Sequence, residues 1–257
     1  MAYNNLDVLD FAVLEGNMAQ LYSITGLTVE MDTFGRTLTQ AEAYKSSKPG
    51  APDIVIRTNW QSLRARQPHL SDEDCEYLMT GDSFYRQLLA FDGMLLHASA
   101  VVMDGRAYLF SAPCGTGKST HTALWCKVFG TDRARILNDD KPALRLEDGV
   151  FYAYGTPWSG KTDQNLNLRV PVAGICMLGR GQTNEIRPHT GAQAIYDLLS
   201  QTVRPKDPNL TGRLLELLDK LLTTVPVWKL QCNMEPEAAL TSYQAMSQGR
   251  KDDTHEA

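Results

Sequence analysis

The stretch Leu95–Thr120, LLHASAVVMDGRAYLFSAPCGTGKST, constrains the fold more than any other part of the chain. Two apolar runs, Leu95–Met103 and Arg106–Phe110, are separated only by Asp104-Gly105. An Asp-Gly link demands positive φ at both positions, the conformation of a type I′ turn, and so joins antiparallel strands. The second run leads straight into Ala112–Ser119, which reads A-x-x-x-x-G-K-S, and a helix-like run follows over Ser119–Phe129. Strand, glycine loop, helix is the order in which backbone N–H groups curl around phosphate oxygens while the helix N-terminus adds partial positive charge. The pattern is a Walker A motif with alanine for its first glycine. Pro113, Cys114, Gly115, Thr116, Gly117, Lys118, Ser119 and Thr120 are therefore the candidate nucleotide-binding residues. Lys118 has the reach for β- and γ-phosphates, and the Ser119 hydroxyl suits Mg²⁺. ATP and Mg²⁺ are the expected cofactors.

A strand that enters such a loop as the second arm of a hairpin does not belong to a run of βαβ units. Ala143–Glu147 and Val150–Tyr154 flank a second Asp-Gly link, Asp148-Gly149. Together they predict an α/β fold with a mixed, largely antiparallel sheet and flanking helices. Further strands are expected over Arg169–Leu178 and Val225–Leu230, and helices over Gly191–Gln201, Leu210–Leu222 and Glu235–Met246. Residues 1–90 read as a smaller α+β region. Its strands fall at Gly26–Met31 and Asp53–Arg57, and one helix, capped by Ser71, runs to about Ala90 and buries Leu78, Met79, Leu88 and Leu89. Residues 91–248 form the predicted P-loop domain, and residues 249–257 a polar, disordered tail.

Composition narrows the classes. The 257 residues carry a net charge of −5, which gives no reason to expect a nucleic-acid or membrane partner. Five cysteines, an odd number with no CxxC pair, indicate neither a disulfide framework nor a thiolate zinc site. The opening MAYNNLDVLDF lacks the apolar run of a secretory leader. A cytoplasmic protein is expected, with homo-oligomerisation left open.

The segment DGMLLHASAVVMDGRAYLFSAPCGTGKST, with ILNDDKP after it, resembles the C-terminal catalytic domain of HPr kinase/phosphorylase and its kinase-like paralogues. Phosphoenolpyruvate carboxykinase shares that P-loop arrangement more distantly. The resemblance is best over Leu95–Asp140 and looser to about Met246; residues 1–85 do not share it. It implies a kinase that transfers the γ-phosphoryl group to a serine, threonine or other hydroxyl on a protein, a peptide precursor or a small molecule. A nucleotide-binding regulator without transfer is the alternative.

Asp139 and Asp140 end the run Ile136–Asp140. Mg²⁺ takes oxygen ligands, and a hydroxyl attacking a γ-phosphate benefits from a carboxylate that accepts its proton. The resemblance implies those two roles for the pair without dividing them; Ser119, Asp139 and Asp140 are thus the candidate metal ligands. It also implies that His97 lies near the phosphates; its neighbour Ser99 reads as structural. Gly155–Lys161, GTPWSGK, joins a cation and an aromatic in one loop, and Lys161 is its candidate acceptor or phosphate contact. Arg169 and Arg180 are candidates for stabilising transferring charge.

Overall fold

Both Asp-Gly links are hairpin turns. Asp104 and Gly105 have φ of 52° and 72°, and Asp148 and Gly149 of 49° and 81°. They join β5 (Ala98–Met103) to β6 (Arg106–Ser111), and β8 (Ala143–Glu147) to β9 (Val150–Tyr154), each pair antiparallel. The computed structural model describes residues 19–48 and 50–248; the expected tail 249–257 and the N-terminal residues read for a leader lie outside the described residues.

The expected strand Leu95–Met103 is two strands. β4 (Gly93–Leu95) pairs with β8, while β5 pairs with β6 and with β7 (Ala134–Asn138). The break at Leu96-His97 has a topological cause. The larger sheet runs β4-β8-β9-β10-β6-β5-β7, where β10 is Arg169–Arg180. Laid flat, β4 and β5 would stand about 24 Å apart at ordinary strand spacing. The link from Leu95 to Ala98 spans at most about 11 Å. The sheet therefore curls back on itself, and residues 140–142 close it: Ala98 N donates to Asp140 O at 3.2 Å and Leu96 N to Pro142 O at 3.4 Å.

β10 is long enough to pair with β9 first, then with β12 (Val227–Cys232) on the same edge, and with β6 on the other. The β6 and β12 pairings are parallel; the sheet's remaining ladders, including β11 (Glu185–Pro188) on β12, are antiparallel. β6 is buried on both sides, as its unbroken apolar run requires. Ala107 and Leu109 face a core covered by α5 (Gly191–Ser200) and α6 (Pro208–Thr224). Tyr108 and Phe110 face a second core under α4 (Lys118–Phe129) and α7 (Pro236–Gln248).

The N-terminal region holds more than was expected. β1 (Gln20–Ile24), missed in the sequence, forms a hairpin with β2 (Leu27–Met31) through Thr25-Gly26, and β3 (Ile54–Ile56) completes a three-stranded sheet. Among the described residues of this region three α-helices accompany it rather than one: α1 (Gly35–Ala41), α2 (Trp60–Arg66) and α3 (Asp72–Leu88). Ser71 caps α3 as anticipated, its Oγ accepting from Asp74 N at 3.0 Å. The buried face of α3 is different, however. Leu78 is exposed and Met79 half-buried; Tyr77, Phe84, Tyr85, Leu88 and Leu89 turn inward. Aromatic mass on that side outweighs the aliphatic pattern, because it meets Trp158 from the distant loop 155–168. Glu76 on the same helix is buried and accepts from the hydroxyls of Thr33 and Thr37, which ties the chain around α1 to α3. Among the described residues no helix is long and apolar enough to cross a membrane.

Candidate functional site

β6 ends at Ser111 and α4 begins at Lys118, so residues 112–117 form a tight loop at the N-terminus of a three-turn helix. Gly115 and Gly117 have φ of 76° and 121°, and a Cβ on either would meet nothing within 4 Å. These glycines are needed for their backbone conformation, not for space. Thr116 bonds back to Pro113 O through its N–H and its hydroxyl. Pro113, Cys114, Gly115, Ser119 and Thr120 are exposed, while Lys118 is buried and its Nζ donates to Ala112 O at 2.9 Å. Burial pulls the Lys118 ammonium below its ordinary pKa, and the Asp140 and Asp139 carboxylates oppose that without cancelling it. Both acids thus act electrostatically on the loop lysine.

Asp139 and Asp140 follow the last residue of β7 and lie in a bend. Asn138 shapes it: its Oδ1 accepts from Asp140 N at 3.0 Å and Lys141 N at 2.7 Å. The strand has ended, so the two carboxylates escape strict alternation yet still find different partners. Asp139 is buried. Its Oδ1 accepts from Ser99 Oγ at 2.6 Å and its Oδ2 from Thr162 Oγ1 at 2.8 Å. Ser99 Oγ also bonds Thr122 Oγ1 at 2.7 Å, one turn along α4 from Lys118. A hydroxyl chain therefore couples Asp139 to the helix that begins at the glycine loop. Asp140 faces His97 Nε2 at 3.3 Å and pairs with Lys141 Nζ. Burial pushes the Asp140 carboxyl up, but the His97 hydrogen bond and the Lys141 charge outweigh it and hold the carboxyl at about 2.

His97 is not on a strand. It occupies the two-residue link where the sheet closes, its backbone N–H donating to Gln201 O at 2.7 Å and its Nδ1 lying 3.1 Å from Gln201 Oε1. Lys161 is exposed, and its neighbours carry it to the acids: Thr162 bonds Asp139, and a Cβ on Gly160 would come within 2.9 Å of Asp140 Cβ. Trp158, in the same loop, is fully buried and stacks on Phe84 at 4.8 Å; it is a core anchor, not an acceptor contact. Arg180 reaches the glycine loop, donating to Gly115 O at 2.5 Å. Arg169 is elsewhere, paired with Glu147 and stacked on Tyr152 at 3.5 Å, because β10 spans 12 residues and carries the two arginines at opposite ends.

A cavity of about 520 Å³ lies between the loop and the ends of β10 and β12, with Gly115, Gly117 and Arg180 at one side and Leu124, Leu178 and Met234 as apolar walls. Ser99, Thr122, Thr162 and Gln201 join the acid cluster through hydrogen bonds between segments distant in sequence. A hydroxyl one turn after the loop lysine could have drawn attention to Thr122; Thr162 and Gln201 carry no local signal, since only the closed sheet brings them here.

No family model and no curated protein matches the chain. Among solved structures, the Hpr(Ser) kinase/phosphatase from Coxiella burnetii is similar at 13% identity over 60% of this chain and 99% of that one, with a TM-score of 0.36.

Proposed function

We propose that this chain is an ATP- and Mg²⁺-dependent phosphotransferase acting on a hydroxyl acceptor. The observation that carries the reading is the coupling of two devices on one helix. The glycine loop with Lys118 opens α4, and the Asp139 carboxylate is tied to α4 through Ser99 and Thr122. A protein that only holds a nucleotide needs the first device and not the second.

The loop amides and the α4 N-terminus suit phosphate oxygens, and Lys118 exchanges Ala112 O for them. The cavity beside the loop has apolar walls and a size suited to a nucleoside. Among the described residues no group of three or more His, Cys, Asp or Glu could hold a metal ion. Mg²⁺ characteristically binds one or two carboxylates together with substrate phosphates, and the exposed Ser119 hydroxyl with one of Asp139 and Asp140 offers hard oxygen donors that fit it. When bound there, Mg²⁺ neutralises charge on the transferring phosphate.

The carboxylates divide by partner. Asp140, held ionised by His97 and Lys141, suits the metal. Asp139, whose two oxygens both accept from hydroxyls, is already disposed as the group that receives an acceptor proton. Lys161 and loop 155–168 border the acceptor side.

Calorimetric titration with ATP, with and without Mg²⁺, tests the binding half; γ-labelled ATP and a cell lysate test the transfer half. Lys118→Ala should lose transfer by about 10²–10³-fold while remaining folded. A variant that binds and turns over ATP like the wild type would remove the site. Binding without any labelled product, in lysate or on the protein itself, would leave a nucleotide-dependent regulator.

A further inference from the structure

Two hydroxyls bond Asp139, and they differ in one respect. Ser99 is fully buried and locked to Thr122. Thr162 is exposed and belongs to a turn. That turn is set by backbone conformation on both sides, with Gly160 at φ 76° and Asp163 at φ 53°. It is anchored from outside as well: Gly160 N donates to Tyr77 OH at 2.8 Å, and Gln40 Nε2 donates to Gly160 O at 3.0 Å. The Thr162 hydroxyl is thus held on the carboxylate that the proposed mechanism uses as its base, with its Oγ1 2.8 Å from Asp139 Oδ2. The same carboxylate feels the loop lysine and is wired to the helix at whose N-terminus phosphates would sit.

We propose that Thr162 is a phosphoryl acceptor in its own chain, so that the protein phosphorylates itself at this turn. The inference rests on the phosphotransferase reading. In the step, Thr162 Oγ1 bonds to the γ-phosphorus of ATP. The bond from that phosphorus to the β,γ-bridging oxygen breaks, and ADP leaves with the electron pair. The hydroxyl proton passes to Asp139 Oδ2. The products are phosphothreonine, ADP and one proton. An ester dianion beside Asp139 and Asp140 would be repelled by both, so the modified turn would move off the carboxylates and leave Asp139 open to another hydroxyl.

The test is phosphosite mapping on the full chain after incubation with Mg²⁺ and ATP, read on protein freed of nucleotide and metal. The expected result is one phosphate on the peptide that contains Thr162. The modified fraction at a given time should be independent of protein concentration, as an intrachain transfer requires. Thr162→Ala should bring incorporation to background and Thr162→Ser should keep it. Asp139→Asn should slow it at least about a hundredfold, the low end of what a positioned base contributes. If calorimetry shows ATP binding and Thr162 stays unmodified while a hydroxyl elsewhere, in the chain or in a lysate, is labelled, or if other hydroxyls of the chain are labelled equally, the inference falls and the phosphotransferase reading stands; if ATP binds and nothing is labelled, both fall. If ATP does not bind, both fall.

Discussion

The two halves of the candidate site are built in opposite ways. The glycine-loop half is largely local: β6, residues 112–117 and α4 are contiguous, and the loop's internal bonds span six residues or fewer, with Arg180 at Gly115 O as its distant contact. The acid half is assembled from distant parts. Asp139 and Asp140 meet Ser99 and His97 across the sheet closure, Thr162 from the loop after β9, and Gln201 beyond α5 through His97. That loop is itself held by the N-terminal region, through Gln40 and Tyr77 at Gly160, Tyr44 at Asn165, and Phe84 and Thr80 at Trp158. A region with no legible role in the sequence thus buttresses the loop that carries Lys161 and Thr162. A glycine loop needs only a local motif, whereas holding a hydroxyl against a buried carboxylate needs tertiary support.

The largest effect should come from separating the halves chemically. Asp139→Asn is expected to cut transfer by about 10²–10⁴-fold, the usual worth of a positioned base, with Mg²⁺·ATP affinity nearly intact. Asp140→Asn should instead raise the Mg²⁺ concentration needed for half-maximal transfer. Parallel losses of ATP affinity and transfer in Asp139→Asn would show that the halves are one unit.

Trp158→Ala attacks the support of the acid half. Removing a fully buried indole stacked on Phe84 should cost about 3–5 kcal/mol in urea unfolding. Amide exchange should rise together in α3 and residues 155–168 while α4 stays protected. Exchange rising equally in α4 would contradict the division.

His121 probes the loop half. It is buried on α4 against Phe110, bonded to Ser242 Oγ at 3.0 Å, and burial holds its pKa down at about 4. The unfolded side chain titrates near 6.5, so between 6.5 and 4 the unfolded chain binds the extra proton and stability is lost as pH falls. The loss should approach about 3 kcal/mol and be complete below pH 4. Unfolding curves from pH 8 to 4 on wild type and His121→Gln should differ in slope within that window; identical slopes would place the titration elsewhere.

The smallest expected change is Tyr44→Phe. It deletes one hydroxyl that donates to Asn165 Oδ1 at 2.9 Å, a loss of about 1 kcal/mol. ATP affinity should not change, while transfer should fall measurably as the loop loosens. A fall in ATP affinity would mean that the buttress extends to the phosphate side.

Elements whose causes are local are legible in the chain without its fold. Asp104-Gly105 and Asp148-Gly149 dictate two hairpins because only residues tolerant of positive φ make type I′ turns. Gly115, Gly117 and Lys118 specify the loop, and Ser71 the start of α3, for equally short-range reasons. The tertiary structure alone decided the rest. His97 meets Asp140 because a link of two residues cannot cross a flat sheet, so the sheet must curl. Trp158 is core rather than ligand contact because α3 presents aromatic rings to it from some 70 residues away, an approach that no periodicity encodes. Thr162 reaches Asp139 only once that packing has fixed the loop. Hydrogen bonds between segments distant in sequence follow from how the layers stack, and that is set by the sum of buried surfaces rather than by any one stretch of chain.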